Sequence, residues 1–261
     1  MTTTLELLGL GYWSSGLPGV DAAGDFLRDG REPEACPRRP APDLLAANER
    51  RRAPDTVALA LEVAMQACRD AGADPARLPS VFASTHGELS ITDFMGRTLA
   101  ESPGDVSPTK FHNSVHNAAA GYWTIGAGCM APATALSAFE ATLAEGLLEA
   151  AAQVAAGEGP VLLVAYDAAS TGPLASVSAS EGLLGAAFVL GAAGSGGRAL
   201  AIAPGAGEAT PATGALARRH AGNAMAPVLP LVEALLGEEP ATLALPAGPG
   251  RVLTVSVGAR A

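Results

Sequence analysis

PATALSAF, residues Pro132 to Phe139, followed by Glu140, Ala141 and Thr142, is the stretch on which the reading of this chain turns. It reads as a buried apolar strand, and Glu140 to Ala156, rich in Ala, Leu and Glu, reads as the helix that leaves it. Upstream, the uncharged run Asn113 to Phe139 is long enough to span a bilayer. Its Asn113, His116, Asn117, Thr124, Pro132 and Thr134, with glycines at 121, 126 and 128, give it instead the mixture of a soluble interior, with a helix expected over Asn113 to Ile125.

Further out, strand and helix signals alternate. Leu5 to Leu10 is a short apolar run ending in glycines, as in a strand that feeds a turn. Gly9 and Gly11 begin a dinucleotide-binding G-x-G-x-x-G, but Ser14 stands where its third glycine belongs. Residues 28–54 are irregular, and Asp55 then caps a helix that ends at Asp70-Ala71-Gly72. Ser80 to Ser84, Val161 to Ala165 and Gly185 to Gly191 read as strands. Thr85-His86-Gly87-Glu88 stands at a strand's carboxyl end, where open α/β sheets place ligands, and His86 is a candidate ligand contact. Beyond a flexible joint at Gly194 to Gly197 come a strand over Ala199 to Ala203, a loop over 204–214, a helix over Pro227 to Leu236 and a strand over Val252 to Val257. The whole is an α/β fold with a covered sheet. Residues 1–198 form its main part and 199–261 a short portion completing the same domain.

Composition narrows the function classes. The chain has 261 residues and a formal charge of −10, which argues against nucleic acid or an anionic membrane as a general partner. The run Glu49 to Arg52 is a local basic patch that reads as a solvated helix start. Cys36, Cys68 and Cys129 lie far apart, with no zinc or disulfide spacing, and a reducing cytoplasm fits them best. The amino terminus carries Glu6 within its apolar part and lacks a basic n-region, unlike a secretion signal. His112 and His116 have the i, i+4 spacing of a helical metal pair but no evident third ligand. Ser195, in AGSGG, does not make a hydrolase elbow.

In order, LLGLGYWSSGLPG with DFLRDG (7–30), ALEVAMQACRDAGADPARLPSVFASTHGE (60–88), SPTKFHNSVHNAAAGYWTIGAG (107–128) and SASEGLLGAAFVLG (178–191) resemble the successive motifs of the β-ketoacyl synthases, of the thiolase superfamily. The resemblance covers about the first three quarters of the chain. It implies a thiolase-like fold with a complete N-terminal half and an abbreviated C-terminal half. The family's nucleophilic cysteine ends the strand that PATALSAF would form. Matching Pro132, Ala135, Ala141 and Thr142 without a gap places Glu140 there. A carboxylate suits a helix N-terminus but attacks a thioester poorly. AGNAMAPVLPLVEALLG (221–237) resembles the helix that starts with a Gly-His pair, with Asn223 at the histidine position and His220 out of register.

The resemblance therefore implies a subunit without condensing activity. It would be a chain-length factor paired with an active ketosynthase in type II polyketide or aryl polyene (xanthomonadin-type) biosynthesis, meeting an acyl carrier protein through the complex, with no cofactor and no metal. It further implies that Phe111, His112, Val115, His116, Tyr122 and Trp123 line the partner's acyl tunnel, and that Leu136 and Ala138 lie at the subunit seam. The alternative is a malonyl-carrier-protein decarboxylase supplying starter units, for which the usual enolate-stabilising histidines are not evident.

Overall fold

A computed structural model describes residues 2–157 and 159–260. In chain order its main elements are β1 (Thr3–Ser14), α1 (Val20–Asp29), α2 (Ala47–Arg52), α3 (Asp55–Asp70), β2 (Ser80–Ala83), α4 (Leu89–Glu101), α5 (Pro108–Asn113), α6 (Ala118–Gly126), β3 (Ala133–Leu136), α7 (Thr142–Ala155), β4 (Val161–Asp167), β5 (Leu184–Ala192), β6 (Arg198–Ala206), α8 (Ala215–Arg219), α9 (Leu229–Leu236), β7 (Ala241–Pro246) and β8 (Arg251–Val257). The strands form one sheet in the order β3-β2-β4-β5-β1-β6-β8-β7. β3, β2 and β4 run parallel to one another, and every other pairing is antiparallel.

The central strands β2, β4 and β5 bury both faces, and their side chains alternate between two cores. Phe82, Leu162, Val164 and Tyr166 join Val57, Ala60, Val63 and Ala64 of α3 and Trp123 of α6. Val81, Ala83, Leu163 and Ala165 face the other way, onto Leu143 and Leu147 of α7, in a core that continues to Leu231 and Val232 of α9. The small residues have a direct use here. A Cβ on Gly11 would lie 2.0 Å from the Val63 carbonyl oxygen, and one on Gly9 would lie 2.3 Å from that of Ala67. The glycine pair of β1 thus lets the backbone of α3 lie against the strand.

Five expectations need correction. The PATALSAF strand is short, extending only from Ala133 to Leu136, and is partly exposed, because β3 is an edge with β2 as its one neighbour. The helix expected over 113–125 is broken between α5 and α6, so His112 and His116 do not share a helical face. Asp55 opens α3 without capping it, since Pro54 holds the cap position and makes no side-chain cap bond. The helix expected from Glu140 begins at Thr142, after a 3₁₀ turn. Gly194 to Gly197 is no flexible joint: it is the β5–β6 turn, and Glu6 accepts N–H bonds from Gly194, Gly196 and Gly197 at 2.8, 2.7 and 2.9 Å. Those donors hold the Glu6 carboxyl below the usual carboxylate range.

Candidate active-site region

At the carboxyl end of β3 the chain turns sharply into α7. Phe139 takes φ 54°, the left-handed region, and is the one non-glycine residue among those described to do so. Thr142 braces the turn: its Oγ1 accepts from Ala138 N at 3.0 Å and donates to Phe139 O at 2.6 Å. Glu140 follows in the 3₁₀ turn Phe139–Ala141 and is exposed to solvent. The strained apex of a strand-to-helix turn is where a fold presents a nucleophile. Here that apex is Phe139, one residue before the gap-free placement on Glu140. Neither side chain is a thiol. Cys129 is buried, with its Sγ 3.4 Å from Leu78 O.

Beside this turn the ends of the parallel strands gather polar groups. Asp167 closes β4 and is 0% exposed. Its carboxylate accepts from Ser84 Oγ at 2.8 Å, Thr85 N at 3.1 Å and His86 N at 3.3 Å. Burial pushes its pKa up, and the hydrogen bonds from Ser84 and Thr85 pull it back down. His86 lies between two oxygens, with Nδ1 4.0 Å from Asp167 Oδ1 and Nε2 2.5 Å from Ser178 Oγ. Ser137, which leads out of β3, donates to Thr85 O at 2.9 Å, and His116 Nε2 lies 2.8 Å from Ser84 O.

The residues singled out in the sequence divide between surface and interior. Phe111 is 61% exposed, and Val115 is also exposed. His112 meets the Tyr122 ring edge-on, with centroids 5.9 Å apart. Trp123 is 0% exposed and packs on Phe82 in this chain's own core, so it is not available to wall a partner's tunnel. Leu136 packs partly onto the α7 side of the core, whereas Ala138 lies in the turn at intermediate exposure. Asn223 is buried and braces the backbone, with Nδ2 donating to Glu181 O at 2.7 Å and Oδ1 accepting from Met225 N at 2.9 Å. No group of three His, Cys, Asp or Glu able to hold a metal occurs among the described residues.

Sequence reasoning did not single out Asp167 or Ser178. The available signal for Asp167 was an acid closing the wholly apolar run that begins at Val161, at the ligand-binding end of a strand. Ser178 carried no signal, since it reaches His86 across 92 residues of sequence.

The sequence model of the β-ketoacyl synthase N-terminal domain matches residues 29–244. No curated protein sequence matches the chain. Among solved structures, a chain in the complex of the ketosynthase ApeO with its chain length factor ApeC, from Xenorhabdus doucetiae, aligns with a TM-score of 0.72 at 22% identity, covering 97% of this chain and 99% of that one. The ishigamide ketosynthase/chain length factor aligns at 0.74 and 14% identity, covering 99% and 100%. The structure AntDE:AntF, a type II polyketide acyl carrier protein in complex with its ketosynthase, aligns at 0.73 and 12% identity, covering 100% of both chains. A β-ketoacyl synthase from Burkholderia phymatum aligns at 0.56 and 14% identity, covering 82% of this chain and 66% of its own. With the family model spanning most of the sequence and the ketosynthase fold matched from end to end, this chain belongs to the β-ketoacyl synthase N-terminal domain family and has its thiolase-like architecture.

Proposed function

We propose that this chain is a non-condensing ketosynthase homologue that pairs with an active ketosynthase and serves as its chain-length factor, in type II polyketide or aryl polyene biosynthesis. The observation that carries the reading is the turn after β3. The fold has the strand, the strained apex and the following helix of a nucleophile turn, yet its residues are Phe139 and Glu140. Without a thiolate no acyl group can be loaded from a thioester onto this turn, so carbon–carbon bond formation falls to a partner.

The surface supports a partner at that place. β3 presents an open edge, and Phe139, Met130 and, farther off in sequence, Phe111, Val115 and Ile125 are exposed apolar side chains. An unpaired edge with apolar neighbours is an association site unless something covers it. Ketosynthase and chain length factor occur together in the complexes that this fold matches. An acyl carrier protein would meet the chain through such a complex. On this reading residues 199–261 belong to the same functional domain, since β6, β8 and β7 continue the sheet from β1.

The test is reconstitution with acyl and malonyl carrier proteins. The isolated chain is expected to give no extended product, and its mixture with a ketosynthase that retains cysteine and both histidines is expected to give product of defined length. Extension by the pure chain alone would overturn the reading.

A further inference from the structure

Ser178, His86 and Asp167 come from three segments and form a line of nucleophile, base and acid. His86 leads out of β2, Asp167 ends β4, and Ser178 follows the 3₁₀ turn Pro173–Ser176. The hydroxyl Oγ lies 2.5 Å from His86 Nε2, and His86 Nδ1 lies 4.0 Å from Asp167 Oδ1. Burial falls off toward the hydroxyl. Asp167 is fully buried, the His86 side chain is 10% exposed, and Ser178 is half-buried. A histidine that takes a proton at Nε2 becomes an imidazolium beside the buried Asp167 carboxylate, an attractive pairing. Asp167 also fixes the position of His86 by accepting its backbone N–H. The His86 Nδ1 atom is buried and makes no hydrogen bond in this state. It is therefore free to turn toward Asp167 when the ring is charged, as such contacts tighten along a reaction path.

The loop holding Ser178 is anchored at its base. Ser170 N donates to Ser180 O, and Ser180 N donates to Ser170 Oγ, both at 2.8 Å. Ser178 N donates to Leu174 O at 2.9 Å. Leu174 in turn lines a cavity of about 310 Å³ between this loop and α4, whose apolar wall includes Leu89, Gly96, Ala100 and Pro173. Asp93, Arg97 and Glu101 also line this cavity and Ser178 does not, so the hydroxyl held on a base and the cleft are neighbours along the chain through Leu174.

We propose that Ser178 is an acylatable nucleophile, with His86 as its general base and Asp167 as the residue that positions His86. The substrate class is an acyl thioester, whose thiolate leaving group needs less help from an acid than an alkoxide or an amide does. In the acylation step Ser178 Oγ bonds to the carbonyl carbon while its proton passes to His86 Nε2. The carbon–sulfur bond then breaks, and the thiolate takes that proton to leave as a free thiol. Water activated by the same nitrogen cleaves the serine ester and releases the acid. This chemistry uses none of the residues of the β3 turn and does not depend on pairing with a ketosynthase.

The experiment is labelling of the purified full-length chain with a fluorophosphonate, located by peptide mass spectrometry. The expected result is one adduct, on Ser178, absent from Ser178→Ala. His86→Asn is expected to slow labelling about 100-fold or more, the usual scale for a general base. Asp167→Asn is expected to lower the bond-forming rate constant, kinact, and leave the reversible affinity of the probe unchanged, a split that loss of structure would not give. Circular dichroism melting of Ser178→Ala and His86→Asn verifies that both remain folded. With S-acyl pantetheine in place of the probe, a burst of one thiol per chain with an acyl mass on the Ser178 peptide is expected. An unmodified Ser178 in the folded protein, or wild-type labelling in His86→Asn, would overturn the proposal.

Discussion

His220, just after α8, shows how one side chain couples this fold to pH. Burial is the main cause, helped by Arg219, of a pKa drawn down from 6.5 to about 4. The folded protein thus refuses a proton that the unfolded chain accepts below about pH 6.5. The resulting stability is complete above that pH and is lost as pH falls toward about 4. The side chain is only partly buried, so solvent screening reduces the effect to about 1–2 kcal/mol. His220→Gln is expected to flatten the Tm-against-pH curve between these limits relative to wild type, and an unchanged slope would contradict it. Asp167 is the opposite kind of residue, since it serves three donors at once. Asp167→Ala strands all three, and each stranded buried donor costs about 1–3 kcal/mol. A loss of about 3 kcal/mol or more in urea unfolding is expected.

At the scale of elements, the contact of α3 with β1 depends on two glycines. Gly11→Ala puts a methyl into the carbonyl of Val63, which must move, and overpacking of this kind costs about 1–3 kcal/mol. Gly121, within α6, has nothing within 4 Å of its missing Cβ, so Gly121→Ala is expected to stabilise by up to about 1 kcal/mol. Thermal melts of the two variants, moving in opposite directions, test the packing. Much of this architecture was legible in the sequence. The alternating strands β2, β4 and β5 and the Gly72 stop of α3, with φ 59°, follow from local pattern alone. α4 was not legible, because Leu89–Glu101 mixes β-branched residues with Gly96 and has no side-chain cap bond at its start. Nor was β7, a six-residue strand ending in proline. The polar cluster was legible only at His86, since Asp167 and Ser178 reach it through topology, and the strain at Phe139 leaves no trace in residue type.

At the scale of the whole molecule, the question is what completes the sheet. Two variants address it. Phe111 is exposed, and as an aromatic wall in a partner's tunnel it would make each further extension cost about 1–3 kcal/mol, a bias of roughly 5- to 150-fold. Phe111→Ala in the reconstituted pair is expected to lengthen the product without slowing early condensations, as product masses would show. The seam itself is tested through the backbone, because a charge at Leu136 would also strike the core on which that side chain packs. Ser80 N bonds Pro132 O and Ser84 N bonds Leu136 O, so alternate residues of β3 address β2. Ala135, between them, turns its N–H and C=O to the open edge. A proline there removes one outward donor, leaves the β2 ladder intact and is tolerated because an edge strand accepts proline. If β3 pairs with its counterpart across an interface of about 800 Å² per partner, Ala135→Pro is expected to melt within a few degrees of wild type and yet to lose its partner in co-purification. Retention of the partner at wild-type stoichiometry by a folded Ala135→Pro would place the interface on another face of the molecule.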